Sequence, residues 1–212
     1  MPIDYSVIIV SWNSVDLLKK CISSILSEFP LNEGEVIVVD NASADGSPEM
    51  ISRCFPQVNL IRNTTNTGFA GGNNIALGRA RGELIFLINS DVEVLEGTYK
   101  ELSDLMMRDR TIGIMGPMII SPDHTLQRSC MGYPTLWRVA CTVFAADSIL
   151  PHSSLFSGYM MRWFDHQHSR EVDVVNGCFW VTRKQALDQV GFLDEKFFMY
   201  GEDIDWCRRF TD

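Results

Sequence analysis

Leu84-Ile85-Phe86-Leu87-Ile88-Asn89-Ser90-Asp91 runs five large apolar residues straight into three polar ones. A continuous apolar run of this length, rich in β-formers, reads as a strand buried on both faces of a sheet. Such strands occur in sheets covered by helices on both sides, so this stretch decides the fold class. It also places a carboxylate, Asp91, just past the carboxyl end of a central strand.

Working outward, the same pattern recurs upstream. Ser6-Val7-Ile8-Ile9-Val10 is a short β-branched run, and Val15, Leu18, Ile22, Ile25 and Leu26 follow at helical spacing. Asn13 or Ser14 is expected to cap that helix. A second strand is expected over 35–40 (Val36-Ile37-Val38-Val39) and a third over 58–62. A Gly-rich turn and a helix from about Asn73 to Arg81 come next. Beyond Asp91, a helix over about 98–108 and a strand over about 112–120 continue the alternation. This order predicts an α/β fold, a mainly parallel sheet flanked by helices with a Rossmann-like nucleotide-binding half.

Residues 121–170 break the pattern. They read as irregular, aromatic and Met-rich, with Pro122, Pro134 and Pro151. Strands over 172–175 and 178–181, a helix over about 184–190 and a helix starting near Asp203 follow. Without a linker or repeat, the expectation is one domain over 1–212. About 1–92 would bind nucleotide and about 93–212 would form an acceptor half. The sequence stops at Asp212 inside the last expected helix, which reads as an ending short of full length.

Composition narrows the partners. The 212 residues are 46% hydrophobic and 21% charged, with a formal net charge of -9. An acidic surface repels nucleic acid and anionic lipid, so no nucleic-acid partner is expected, and an anionic ligand would need a cation or helix N-termini. The cysteines, at 21, 54, 130, 141, 178 and 207, form no Cys-x-x-Cys pair and sit mostly in apolar runs. They read as reduced core thiols, and with no signal-peptide pattern the expected location is cytoplasmic. No run reaches the roughly 18 apolar residues of a membrane span; Val139 to Leu150, the best candidate, is short and interrupted by Asp147.

Ligands of open α/β sheets bind beyond the carboxyl ends of the strands. Three polar clusters fall there: Ser11-Trp12-Asn13 after Val10, Asp40 to Ser47, and Asn89-Ser90-Asp91. Each alone also suits an ordinary turn; their convergence points to one crevice. Asp91 is placed to hold a divalent cation that bridges two phosphates, or simply to cap a turn. Asn66 to Asn74, with Gly68, Gly71 and Gly72, opens a helix whose N-terminus favours anions. Tyr200-Gly201-Glu202-Asp203-Ile204-Asp205 gathers three acids. Such a group suits a general base toward an acceptor hydroxyl, and equally an acidic helix start. His166 and His168, beside Asp165, read as surface histidines rather than a metal site. Trp137, Tyr159, Met160, Met161, Trp163 and Phe164 read as core, a membrane-facing patch or an acceptor wall.

Taken together and in order, these stretches resemble the family 2 glycosyltransferases of GT-A fold, over essentially the whole chain. Val7 to Asn13 resembles the first strand and nucleoside-binding turn of that family. Val38 to Ser47 resembles its second motif, which implies that Asp40 reads the base. Asn66 to Asn73 resembles the third. The resemblance thus implies a donor site of Val10, Ser11, Trp12, Asn13, Asp40, Asn41, Gly68, Asn73, Asn89 and Ser90. Asn89-Ser90-Asp91 stands where the family has Asp-x-Asp, so Asp91 inherits the metal, Mg²⁺ or Mn²⁺, and Asn89 departs from the pattern. Tyr200 to Asp203 resembles the Glu-Asp motif: Asp203 inherits the catalytic base, beside Glu202. Arg170 to Gly177, Arg183-Lys184 and Gly191 to Glu195 resemble bacterial rhamnosyltransferase-like members that build cell-surface polysaccharide.

The resemblance implies a nucleoside-diphosphate sugar donor, with dTDP-rhamnose as the donor of that subgroup, and transfer with inversion to a saccharide or lipid-linked saccharide. Peripheral contact with the inner face of the cell membrane fits such an acceptor. Two rivals are a non-catalytic nucleotide-sugar-binding module and a sugar-nucleotide pyrophosphorylase. The latter needs a Gly-rich basic loop after the first strand, where Ser11-Trp12-Asn13 stands. A dinucleotide dehydrogenase lacks support for want of glycines there.

Overall fold

The computed structural model describes residues 3–211. Asp212, where the sequence stops, lies outside the described residues, as do Met1 and Pro2. The elements run β1 (Ile3–Ser11), α1 (Val15–Glu28), β2 (Gly34–Asp40), α2 (Ser47–Cys54), β3 (Asn59–Arg62), α3 (Gly68–Leu77), β4 (Gly82–Ile88) and α4 (Thr98–Arg108). Short strands β5 (Ile114–Met115), β6 (Ile119–Ile120), β7 (Leu126–Gln127) and β8 (Cys130–Met131) precede helices α5 (Leu136–Val143) and α6 (Ala146–Ile149). The chain finishes with β9 (Val174–Val175), β10 (Phe179–Arg183), α7 (Lys184–Val190) and α8 (Glu202–Thr211).

Six strands form one sheet in the order β3-β2-β1-β4-β10-β5. The first four are parallel, and β10 runs antiparallel between β4 and β5. The α/β expectation therefore holds. The order reverses between β1 and β4, the switch point where open sheets of this kind bind ligands. Register aligns the carboxyl ends: Ser11 lies beside Asp40, and Asp40 beside Arg62.

The uniformly apolar strands are buried as their composition demands. Val7, Ile8, Ile9, Val38, Val39, Ile85 and Phe86 are all closed to solvent. At the opposite, amino end of the sheet, buried Glu35 accepts from Ser6 Oγ at 2.9 Å and from Arg81 at 2.7 Å. Ser6 Oγ in turn accepts the N–H of Gly82 at 2.9 Å. That network ties β1, β2 and β4 together, so the charge of Glu35 at the start of β2 is structural.

Packing divides the chain into two compact units, Met1–Pro117 with Gly177–Asp212, and Met118–Asn176. The expected functional halves, meeting near residue 92, are a division of labour; the packing units are a different division. In the second unit, β6 pairs with β7 and β8 with β9. Arg138 bonds Asp173 at 2.7 Å, and Arg162 bonds buried Asp147 at 3.3 Å.

Three local expectations are corrected. The helix expected from about Asn73 begins at Gly68, because Gly71 and Gly72 lie inside α3, where their missing side chains let the helix approach the sheet. A Cβ on Gly72 would stand 2.6 Å from Val10 Cγ1. The strand expected over 112–120 is broken into β5 and β6, with Pro117, which has no N–H to give a ladder, between them. The stretch expected to be irregular over 121–170 contains α5, whose N-terminus Thr135 caps by accepting from Arg138 N at 3.2 Å.

All six cysteines carry thiols rather than disulfides, but Cys54 is exposed, against the expectation of core burial. Among the described residues, no helix is long and apolar enough to cross a membrane.

Candidate active site

The site grows out of three turns at the carboxyl ends of β1, β2 and β4. Ser14 takes the capping position of α1, yet its hydroxyl donates to Ser90 Oγ at 3.1 Å and shares a 3.0 Å bond with Ser11 Oγ. These hydroxyls stitch the β1 turn to the β4 turn across the switch point. The first helical N–H, that of Val15, is instead accepted by Asp45 Oδ2 at 2.8 Å. Asp45 thus caps α1 from another turn. Burial works to raise its pKa, but hydrogen bonds from Ser47 and from the Val15 N–H outweigh that and hold it below the ordinary carboxylate value.

Asn13 adopts the left-handed region at φ 49, which an Asn tolerates better than most residues. Its N–H donates to Ser43 Oγ at 2.9 Å, and its Oδ1 accepts from Ala44 N at 2.8 Å. The β1 and β2 turns are therefore zipped together, leaving Trp12 exposed beside them. Val10 is half-buried beneath α3.

Asp40 is only 2% exposed. One carboxylate oxygen, Oδ2, accepts from Ser43 N at 3.0 Å; the other, Oδ1, is buried without a hydrogen-bond partner. A buried, unsatisfied acceptor is costly and rare, and it is the property wanted in a group that waits for a ligand's N–H.

Asn41 and Asn73 have a different character. Asn41 donates to the Gly68 carbonyl at 3.0 Å and accepts from Asn63 at 2.8 Å and Thr67 at 3.1 Å. Asn73 donates to the Phe69 carbonyl at 2.9 Å. Both side chains are buried and engaged within the protein, so they shape the site from behind. Gly68 lies at φ 76, its N–H donating to Asn66 Oδ1 at 2.9 Å, while Phe69 N donates to the Phe198 carbonyl at 2.9 Å. These first N–H groups of α3 face protein acceptors.

The Phe198 contact carries the last motif to the site. Tyr200 and Gly201 follow, both at positive φ (71 and 95), and turn the chain into α8. Trp206 anchors that helix: it donates to the Gly191 carbonyl at 3.0 Å and packs 5.0 Å from Trp180, which itself lies 6.0 Å from Phe69. Glu202 is buried, 6% exposed, with Oε2 unpartnered. Burial, and then the neighbouring charge of Asp203, push its pKa up. Asp203, half-buried, accepts from Ile204 N through Oδ1 at 2.9 Å.

Asn89 N donates to the Cys178 carbonyl at 2.9 Å, which joins the end of β4 to the start of β10. Asp91 is exposed just beyond. Its charge reaches two thiols: burial first, then Asp91, push Cys21 up to about 12 and Cys178 up to about 11.

Among the described residues, no three His, Cys, Asp or Glu side chains are grouped to hold a metal ion. His166 packs face-on against Phe164, 4.3 Å between ring centroids, and His168 is exposed. Asp91 alone nevertheless fits a hard cation of a particular kind: Mg²⁺ is commonly held by one or two carboxylates together with substrate phosphates rather than by an all-protein cage.

The sequence pattern did not single out Phe198, and it offered Ser14 only as a helix cap and Ser43 and Asp45 only as members of the polar cluster after β2. Their roles depend on partners 30 to 129 residues away in sequence, for which local spacing carries no signal.

Residues 6–191 match the family described as Glycosyl transferase family 2. The chain is 28% identical over 193 residues to an N-acetylglucosaminyl-diphospho-decaprenol L-rhamnosyltransferase of Mycobacterium tuberculosis, covering 86% of this chain and 61% of that protein. It is 27% identical over 214 residues to the low-salt glycan biosynthesis hexosyltransferase Agl10 of Haloferax volcanii, covering 97% of this chain and 61% of that protein. The chain thus spans about three fifths of the length of these relatives.

Two solved structures share the fold. Staphylococcus aureus TarS 1-349 in complex with UDP-GlcNAc matches with TM-score 0.66 at 20% identity, covering 98% of this chain and 53% of that one. The mannosyltransferase PcManGT of Pyrobaculum calidifontis, in complex with GDP-Man and Mn²⁺, matches with TM-score 0.59 at 20% identity, covering 95% and 49%.

Proposed function

The chain belongs to glycosyl transferase family 2, and from that premise we propose that it transfers a sugar from a nucleoside-diphosphate sugar to a hydroxyl acceptor with inversion. The observation that carries the reading is Asp40: a buried carboxylate with one unsatisfied oxygen at the carboxyl end of β2, beside a switch-point crevice. Its free oxygen accepts an N–H of the donor's base. Exposed Trp12 and the β1 turn border the nucleoside. Asn41, Gly68 and Asn73 hold the wall behind it.

Asp91 would hold Mg²⁺ or Mn²⁺ together with the donor diphosphate. When bound, the cation supplies positive charge against the departing phosphates. Ser90 and Asn89 fix the turn that presents Asp91.

Asp203 is the base. Its carboxylate takes the proton of the acceptor hydroxyl as the oxygen bonds to the anomeric carbon. The bond from that carbon to the diphosphate breaks on the opposite face, and its electron pair leaves with the phosphate oxygen. A single displacement inverts the centre. Glu202, buried and adjacent to Asp203, has its carboxyl pushed up by burial and then by that neighbouring charge.

In this reading residues 1–92 serve the donor and 93–212 the acceptor. The rhamnosyltransferase relative favours dTDP-rhamnose as donor and a lipid-linked saccharide as acceptor, at the inner face of the cell membrane in bacterial surface-polysaccharide synthesis. A second reading is a nucleotide-sugar-binding module without turnover, since the buried, unsatisfied oxygen of Asp40 calls for a ligand and not for a reaction.

Calorimetric titration with UDP, dTDP and GDP, each with Mn²⁺ and with EDTA, tests the donor site; metal-dependent binding of one nucleotide is expected. Asp203→Asn should keep that binding and lose transfer. An active Asp203→Asn protein would sink the base assignment, and binding without any transfer by the unaltered chain would favour the binding module.

A further inference from the structure

Between residues 124 and 164 the sequence holds one carboxylate, Asp147, in a chain with 27 acidic residues. Asp147 is 2% exposed and bonded to Arg162. The other charged side chains of this stretch are Arg128, Arg138 and Arg162, all cationic. In a protein of net charge -9 this stretch therefore exposes no carboxylate of its own, and the partly exposed carboxylate of Asp173 that reaches α5 from outside it is paired with Arg138 at 2.7 Å.

What this stretch exposes instead is apolar. Leu136 is 94% exposed, Phe144 79% and Ile149 75%; Trp137, Val143 and Leu155 are exposed as well. Leu136 and Val143 stand seven residues apart on α5 and so share one face. Cys141, on the other side, is buried. The arrangement is fixed rather than loose. Trp137 Nε1 donates to the Leu155 carbonyl at 3.0 Å, and its ring packs 5.8 Å from Phe156, tying α5 to the loop beyond α6. Ala145, at φ 56, turns the chain sharply between α5 and α6 and leaves Phe144 at the corner.

An ordered patch of this kind, in a chain otherwise acidic, marks a contact surface. Its charge decides the partner. Anionic lipid repels the acidic remainder and tolerates only a face that is uncharged or cationic. Apolar side chains with an indole at their edge suit the headgroup boundary, where such surfaces sink about 5–10 Å.

We propose that α5, α6 and the loop to Leu155 form a membrane-docking surface that seats the protein on a bilayer containing anionic lipid. The biological sense of this surface rests on the lipid-linked acceptor proposed above; its evidence does not.

The test is sedimentation of the 212-residue chain with sucrose-loaded vesicles of phosphatidylcholine containing about a third phosphatidylglycerol, without nucleotide or metal. The chain should pellet with vesicles. Phe144→Asp with Ile149→Asp should lower the bound fraction at least about tenfold, and Leu136→Asp with Val143→Asp should do so independently. Leu31→Asp, an exposed apolar position in the other unit, should leave it unchanged.

Circular dichroism and thermal unfolding establish that each variant is folded. An unaltered chain that stays in the supernatant overturns the proposal. So does equal pelleting of folded patch variants. A dimer in sedimentation velocity that the patch substitutions dissociate, without vesicle binding, assigns the face to a second copy instead. Because nucleotide titration is a separate readout, loss of the donor-site reading leaves this result standing, and the reverse.

Discussion

The carbonyl oxygen of Phe198 accepts the N–H of Phe69 at 2.9 Å and occupies the space that a side chain on Gly68 would need. Gly68 also sits at φ 76, a region that costs other residues about 1–2 kcal/mol. One glycine therefore couples the start of α3 to the segment leading into Glu202 and Asp203. Gly68→Ala is expected to lower Tm by several degrees, from the strain and from displacement of Phe198. It should reduce transfer more than nucleotide binding, since the displaced segment carries the base. Thermal unfolding, calorimetry and a transfer assay check this; an unchanged Tm would contradict the coupling.

Asp40→Asn keeps an oxygen for Ser43 N but removes the carboxylate. Nucleotide affinity should fall by about tenfold or more, the scale of a lost charged hydrogen bond of about 1.5–3 kcal/mol. Tm should change little or rise, because a buried unsatisfied charge is removed. Calorimetry with the preferred nucleotide decides it, and equal affinity would remove Asp40 from base recognition.

Asp91→Asn should abolish the metal-dependent part of nucleotide binding. Chelation of metal and substitution of Asp91 act on one interaction, so their losses should not add. Titrations of both proteins with Mn²⁺ and with EDTA form the cycle. Additive losses would place the metal elsewhere.

Glu202 has a carboxyl held above the ordinary value of 4.5 by burial, then by Asp203. The native state therefore binds the proton more tightly than the unfolded chain. Its contribution to stability is full below 4.5 and is lost as pH rises through the folded value. Urea unfolding should show stability falling over that window above 4.5, and Glu202→Gln should flatten the fall. An unchanged profile would exclude Glu202 as its source.

Thiol reactivity tracks the thiolate. Burial first, then Asp91, push Cys21 up to about 12 and Cys178 to about 11, while Cys54 is exposed at the end of α2. Iodoacetamide near neutral pH should label Cys54 well ahead of both, as read by peptide mass spectrometry. Early labelling of Cys21 would show that the β4 end opens in solution.

The fold was readable because buried parallel strands have a signature that needs no partner: 7–10, 36–39 and 84–88 are apolar throughout. The candidate site was readable in part for the same reason, since a polar cluster ending such a strand must lie at the sheet's edge. The α3 glycines misled because glycine serves a turn and a close helix–strand approach equally well, and only Val10 beneath Gly72 tells them apart. Within 121–170, two-residue strands and an eight-residue helix are too short for periodicity to register.

The sequence by itself determined the α/β class, the main buried strands and the residues at their ends, because each follows from local hydrophobicity and turn chemistry. Only the tertiary structure decided which groups those residues reach. Asp40 and Asn41 are adjacent and equally buried, yet Asp40 keeps an unsatisfied oxygen while Asn41 spends its side chain on Gly68, Asn63 and Thr67. Asp45 takes the capping role that the position of Ser14 implies, since the hydroxyl of Ser14 reaches Ser90 and the carboxylate of Asp45 caps α1. Hydrogen-bond satisfaction depends on which distant groups arrive within about 3 Å, and that is a property of the folded arrangement.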